Sequence, residues 1–311
     1  MKLFITTILI YLYCIAPSHA QDTTIFYQNR PLQLTEVVIN NKLDVPAFIE
    51  RVKKDTSFYK AFRNLHLLQF TALNDIRMQN KKNKTEASLQ SRTRQIRHNR
   101  CRSMQILDSK TTGDFYTKKG NYNYYTAELY AGLFFTEGSI CGETNVIQGH
   151  TLSTKNKTGM NKHKEQLKML FFNPGQKIPG IPLMGNKIAL FDEEAIPLYD
   201  FSIDYKDYAK DQTCYVFTIK PKANLTNSER NKLIIDEMIT WFDAKTMDIV
   251  YRSYALSYNA GIYDFDVTMD VQLTRVGDLL VPNVIKYNGN WHVLLKGRER
   301  GIFTATLFDF K

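Results

Sequence analysis

The stretch Tyr263-Asp264-Phe265-Asp266-Val267-Thr268-Met269-Asp270-Val271-Gln272-Leu273-Thr274 decides the fold. Large apolar residues fall on every odd position, polar ones on every even position. Side chains alternate between the two faces of a strand, so this is a β-strand with one apolar and one wet face. Gly277-Asp278 then turns the chain into Leu279 to Tyr287. Asn288-Gly289 is the strongest hairpin signal of the sequence, and a turn there is expected to lead into Trp291 to Lys296. Ile302 to Phe310 closes the chain. Working backward, Asp236 to Phe242 passes through Asp243-Ala244-Lys245-Thr246 into Met247 to Tyr258, and Cys214 to Ile219 ends at Pro221. Strands joined by tight turns make an antiparallel meander.

Nearer the start, residues 34–65 read as helical. Asp44 is placed to cap, Pro46 suits a first turn, and Phe48, Ile49 and Val52 recur at helical spacing. Asp55-Thr56-Ser57 marks a second cap before Phe58, Phe62 and Leu65. After residue 66 the period changes to two. Leu68, Phe70, Ala72, Ile76 and Met78 share one face of a long strand. Residues 83–105 are polar and basic, and a long loop or ragged hairpin end is expected. Tyr116 to Tyr122 reads as a turn between aromatic-rich strands, with strand continuing from Tyr122 to Phe135. Residues 149–166 read as an exposed excursion. Residues 173–186, NPGQKIPGIPLMGN, read as an apolar loop folded over the core.

A long one-sided sheet must cover its apolar face. The fold class that follows is mainly β (α+β): a curved antiparallel sheet or incomplete β-barrel covered by short N-terminal helices. The expected organisation is a signal peptide over 1–20, a helical segment over 21–65 and a β half-barrel over 66–311, the last two forming one domain.

The turn Ile239 to Asp248 and the Pro-bearing stretch Leu280-Val281-Pro282-Asn283-Val284-Ile285-Lys286-Tyr287 resemble exported half-barrels of the lipoprotein-carrier type, LolA- and LolB-like. The chain is also similar to exported β-rich proteins of Bacteroidetes. The resemblance covers most of residues 34–311 and implies an incomplete barrel wrapped around helices. The basic insert near 81–102 and the excursion near 149–166 depart from it, and no ligand residue transfers from the family.

Residues 1–20 carry Lys2, an apolar run from Leu3 to Ala16, then Ser18 and Ala20 at −3 and −1 of a cleavage site before Gln21. That is the pattern of a secretory signal, and the run is shorter than the roughly 20 residues a membrane-spanning helix needs. The composition of the whole chain, 43% hydrophobic and 13% aromatic, is that of a folded body and not a disordered one. Of the cysteines beyond Cys14, Cys101, Cys141 and Cys214 allow one disulfide with a leftover thiol, in any of three pairings, or three free thiols.

The formal charge is +10, and much of it is local. Lys81, Lys82, Lys84, Arg92, Arg94, Arg97, Arg100 and Arg102 face only Glu86 within residues 81–102. This run is the candidate patch for an anionic envelope surface, against the plainer reading of a solvated loop. It lacks the aromatic interleaving of a nucleic-acid groove, so no nucleic-acid partner is expected.

His66, His98, His150, His163 and His292 show no metal-ligand spacing, and neither a GxSxG elbow nor a phosphate loop occurs. No metal, cofactor or catalytic residue is therefore expected. Cys141 near His150 is a weak nucleophile pair, and Asp264, Asp266 and Asp270 read as a solvated strand face. The leading expectation is a non-enzymatic protein of the periplasm or cell envelope holding a lipid or other hydrophobic small molecule. The alternatives are a glycan- or protein-binding module without a cavity, and a hydrolase. The oligomeric state has no signature in the sequence.

Overall fold

The computed structural model describes residues 23–27, 30–37, 43–146, 171–172, 174–175, 189–259, 264–293 and 297–311. Strand β11 (Asp264–Val276) is the alternating stretch, and Phe265, Val267, Met269, Val271 and Leu273 are all buried along its inner face. The same logic extends to both sides. On the N-terminal side lie β1 (Thr23–Tyr27), β2 (Arg30–Val37), β7 (Tyr199–Ala209), β8 (Gln212–Pro221), β9 (Ile235–Asp243) and β10 (Ile249–Asn259). On the other side follow β12 (Leu279–Val293), β13 (Gly297–Phe308), β3 (Phe70–Gln79), β4 (Thr85–His98), β5 (Cys101–Thr112) and the short β6 (Ser139–Cys141). They form one 13-stranded sheet in the order β1-β2-β7-β8-β9-β10-β11-β12-β13-β3-β4-β5-β6. Every pairing is antiparallel except β2 with β7. The sheet is open, with β1 and β6 at its ends, so this is the expected mainly-β incomplete barrel.

Among the described residues, three helices of eight residues or more pack on its apolar side. Helix α1 (Val45–Lys54) starts where Asp44 Oδ1 accepts from Ala47 N at 3.1 Å, and it buries Phe48, Ile49 and Val52. Phe48 meets Tyr215, Phe217 and Phe242 edge-on at 6.1, 5.6 and 5.3 Å, which seats the helix on β8 and β9. Helix α2 (Ser57–Asn64) buries Phe58, Ala61 and Phe62. Asn64 Nδ2 donates to the Leu280 carbonyl at 2.7 Å, tying α2 to β12. Helix α3 (Tyr125–Phe134) buries Ala127, Leu129, Tyr130 and Ala131.

Four local expectations are corrected. First, residues 30–37 are strand β2, and the helical reading of 34–65 holds only from Val45 onward. Second, residues 85–112 are a long hairpin with one register shift between Arg92 and Thr93, turned by Asn99 and Arg100 at φ of 45° and 63°, as a two-residue hairpin loop requires. The inward residues of β4 change from Ala87 and Leu89 to Ser91, Thr93 and Gln95, so the apolar alternation fades although the strand continues.

Third, Tyr125–Phe134 is helical and not strand. Its aromatic content suggested β, but Ala127, Glu128, Leu129, Ala131 and Leu133 are helix formers. Its cap is remote: the Glu299 carboxylate accepts from Tyr125 N at 2.9 Å, from Thr126 N at 2.8 Å and from Thr126 Oγ1 at 2.7 Å.

Fourth, Asn288-Gly289 makes no turn. Strand β12 runs straight through it, pairing Gly289 with Val267 on one side and with Gly301 on the other. The two opposed glycines leave a dent in the inner face. Tyr287 leans into it, and a Cβ on Gly289 would lie 2.7 Å from Tyr287 Cε1 and nearer still to Cζ and Oη. A Cβ on Gly301 would lie 2.8 Å from Thr126 Cγ2, so that glycine admits the start of α3. The signal 1–20, the excursion 149–166 and most of the loop 173–186 lie outside the described residues.

Candidate functional site

The sheet bears inward polar residues where β3, β4 and β5 meet the helices. Asn74 on β3 accepts from Tyr130 OH at 2.9 Å and donates to Ser91 Oγ and Thr93 Oγ1 at 3.3 and 3.2 Å. Gln95 on β4 donates to the carbonyls of Leu65 and Leu68, both at 2.7 Å. It thereby closes the 3-10 turn Leu65–Leu67 that continues α2. Buried polar groups are tolerable when so partnered, and these hold α2 and α3 at fixed distances from the sheet.

Between them lies a cavity of about 370 Å³. Phe70, Ala72, Ala305 and Leu307 form its sheet side. Tyr59, Phe62 and Leu65 come from α2, and Leu133, Phe134 and Phe135 from the end of α3. Phe172 closes the aromatic wall, 4.2 Å from Phe62 between ring centroids. The other end of the cavity is charged, with Arg63, His66, Arg102 and Glu143.

This polar rim is fixed by the disulfide. Cys101 and Cys141 are joined and lie opposite one another in the β5·β6 pair, which sets the residues beside them face to face. Arg102 Nε donates to Glu143 Oε2, and Arg102 Nη2 to Glu143 Oε1 at 3.2 Å. Arg102 Nη1 donates to Thr136 Oγ1 and, at 3.4 Å, to Gln95 Oε1. His66 Nδ1 stands 3.0 Å from Glu143 Oε1. Burial alone would raise the Glu143 carboxyl. The Arg102 hydrogen bond and the charges of His66, Arg102 and Arg63 outweigh it and hold the group below its ordinary range. Closing a loop of this length, with a sequence separation of 40, stabilises the fold by about 4 kcal/mol in the chain-entropy account.

The basic run of the sequence is dispersed by the hairpin. Lys81 and Lys82 lie in the β3–β4 turn, with Lys84 just before β4, and Arg100 lies in the β4–β5 turn. The two turns are separated by the 14 residues of β4, roughly 45 Å at the rise of a strand. Arg92 and Arg94 are exposed on the outer face. Arg97 donates to the His66 carbonyl at 2.6 Å, and Arg102 belongs to the cavity, its side chain only 10% exposed.

Sequence reasoning missed Glu143, Arg63 and the role of His66. The one signal that pointed toward Glu143 was its place two residues after Cys141. Tyr59, Phe62, Arg63 and His66 also recur at i, i+3, i+4 and i+7, a single stripe of α2 and its extension.

The other candidates resolve differently. Cys141 is oxidised, so it is no nucleophile. Cys214 is the free, buried thiol, and burial, then the Asp243 and Asp207 carboxylates, push it up to about 11. Asp264 is held by Arg298 at 2.6 Å, and Asp270 accepts from Tyr251 OH at 2.7 Å. Among the described residues no three His, Cys, Asp or Glu side chains are grouped to hold a metal, and no helix is long and apolar enough to cross a membrane.

No family model matches the chain, and no curated protein matches it. Among solved structures, a DUF1329 family protein from Desulfovibrio piger aligns at 8% identity over 82% of this chain and 93% of that one, with a TM-score of 0.25. A domain assigned to outer membrane lipoprotein sorting, from Vibrio parahaemolyticus, aligns at 10% identity over 81% of this chain and 90% of that one, with a TM-score of 0.27. At such identities and scores the alignments carry no argument about this chain, and the chemistry of the cavity follows from its own residues.

Proposed function

We propose that this chain is an exported, non-enzymatic binding protein that holds a hydrophobic small molecule or one lipid chain in the cavity between α2, α3 and the concave sheet. The observation that carries the reading is the cavity itself, with an aromatic and aliphatic wall on one part and a charged rim of Arg63, His66, Arg102 and Glu143 on another. Its 370 Å³ sits at the lower end of small-molecule sites, about 300–1,000 Å³, so it suits one chain and not a multi-chain lipid. Each buried methylene contributes about 0.8 kcal/mol, and dispersion against the rings adds to that. The Cys101–Cys141 disulfide supports export to an oxidising compartment, the periplasm or cell envelope, as the signal over residues 1–20 does. In this reading the outward cations Arg92, Arg94 and Arg100, with the turn lysines, orient the protein at an anionic surface.

The test is native mass spectrometry of gently purified protein, followed by solvent extraction. A co-purifying hydrophobic molecule is expected, and Ala72→Leu, which extends a side chain into the cavity, is expected to displace it. A protein that carries nothing and takes up no added lipid would refute the reading.

One observation favours a second reading, an interaction module. Beyond Ser103, β5 has no strand on its outer edge among the described residues, and Ile106 there is 70% exposed. Capture of a strand-adding partner by an empty protein would decide for that alternative.

A further inference from the structure

The charged end of the cavity is unevenly paired. Glu143 is its one carboxylate, and Arg102 and His66 both engage it. Arg102 is well partnered, because each of its three nitrogens donates, Nε and Nη2 to Glu143 and Nη1 to Thr136 and Gln95. Arg63 is different. One Nη donates to the Thr144 carbonyl at 2.6 Å, while its Nε is buried with no partner. No carboxylate pairs with Arg63 among the described residues. The Arg63 charge acts on Glu143 without a direct ion pair, and a guanidinium with an unused, buried donor is costly unless something completes it. It sits one residue from Phe62 and four from Tyr59, so cation and aromatic wall are presented to the same space by the same helix.

We propose that the molecule bound here is a single-chain amphiphile with an anionic oxygen head. Its chain lies along Phe62, Phe134 and Phe172, and its head is held by Arg63 at the Glu143 end. This rests on the binding reading above and names the ligand class for the same cavity. A planar guanidinium matches a carboxylate, sulfate or phosphate head, and a charge-assisted bond in a partly dry site is stronger than one in water. Glu143 does not repel such a head strongly, because Arg102 and His66 already engage it. Counting Arg63 and Arg102 against Glu143, the rim keeps one positive charge before any protonation of His66.

The test is calorimetric titration of the full chain, delipidated, with dodecanoate, dodecyl sulfate, methyl dodecanoate and dodecylamine. Dodecanoate is expected to bind roughly tenfold to a hundredfold more tightly than its methyl ester, the range of one charge-assisted hydrogen bond. Dodecyl sulfate should follow dodecanoate if any oxyanion serves; its failure alone would narrow the head to a carboxylate and still support the proposal. Arg63→Met is expected to abolish the preference while leaving the ester's affinity in place. Added salt should weaken dodecanoate and not the ester in the unmodified protein, a readout that stands even if the variant misfolds. Equal binding of acid and ester, or tighter binding of the amine, overturns the proposal and leaves the cavity reading intact. Failure of all four probes to bind overturns the cavity reading itself.

Discussion

Replacing Gly289 by Ala tests the strand assignment where sequence and structure disagree. The new methyl group would enter the ring of Tyr287, 2.7 Å from Cε1 and closer to Cζ and Oη. Removing the hydroxyl alone would not make room, so the whole ring must move. That ring is stacked on Phe303 at 4.3 Å between centroids and 8° between planes, and it meets Phe171 edge-on at 5.5 Å. Its hydroxyl accepts from Trp291 Nε1. A small shift of an overpacked side chain costs about 1–3 kcal/mol, and expelling a buried aromatic costs about 3–5 kcal/mol. The expected destabilisation is therefore about 3 kcal/mol or more. Asn288, one residue earlier, faces outward and is exposed, so Asn288→Ala should lie within about 0.5 kcal/mol of the parent. A two-residue turn would demand positive φ at both positions, and both substitutions would then cost comparable amounts. Denaturant unfolding of the two variants separates the cases. Adding Tyr287→Ala to Gly289→Ala should leave little further loss, because the ring is what the methyl displaces. Equal costs for Asn288→Ala and Gly289→Ala would refute the reasoning.

Two further outcomes follow from the site's supports. Glu299→Ala strips three hydrogen bonds from the start of α3 and leaves buried donors unpaired, so it should cost about 3–5 kcal/mol in chemical denaturation, with Glu299→Gln costing clearly less. The Glu143 carboxyl is held below the ordinary glutamate range, so its stabilising contribution is complete above that range and is lost as pH falls through its folded value. Melting temperature against pH should therefore fall below about pH 4.5 in the parent, and Glu143→Gln should lack that part of the fall.

The fold was legible where one face of each strand met an apolar core. From β8 to β13 and along β3, period-two alternation located nearly every strand, because burial and side-chain direction alternate together, whereas β7 went unread. It failed where that coupling breaks. The inward face of β4 carries Ser91, Thr93 and Gln95 because it borders a polar cavity end, so a true strand read as a loop or ragged hairpin end. Helix α3 read as strand because its cap, Glu299, lies 173 residues from Thr126 and leaves no local start signal. Asn288-Gly289 read as a turn because a glycine needed for close side-chain approach is indistinguishable in sequence from one needed for positive φ.

These failures share a cause that bears on function. Gln95, Glu299, Gly301 and Arg102 each depart from the apolar pattern of their strand, and each does so where a helix or the rim is held against the sheet. A core built only for stability would place aliphatic residues there, since buried polar groups add little net stability even when satisfied. What they do supply is fixed geometry. Gln95 positions the end of α2, Glu299 the start of α3, and Arg102 the disulfide-tethered Glu143 segment. Gln95 and Arg102 line the cavity itself, and Glu299 holds the helix whose far end lines it. The polar exceptions to the alternation therefore cluster around the cavity and the helix that bounds it, and Arg63 on α2, whose partners are incomplete, lies where the head of the proposed ligand would complete the set.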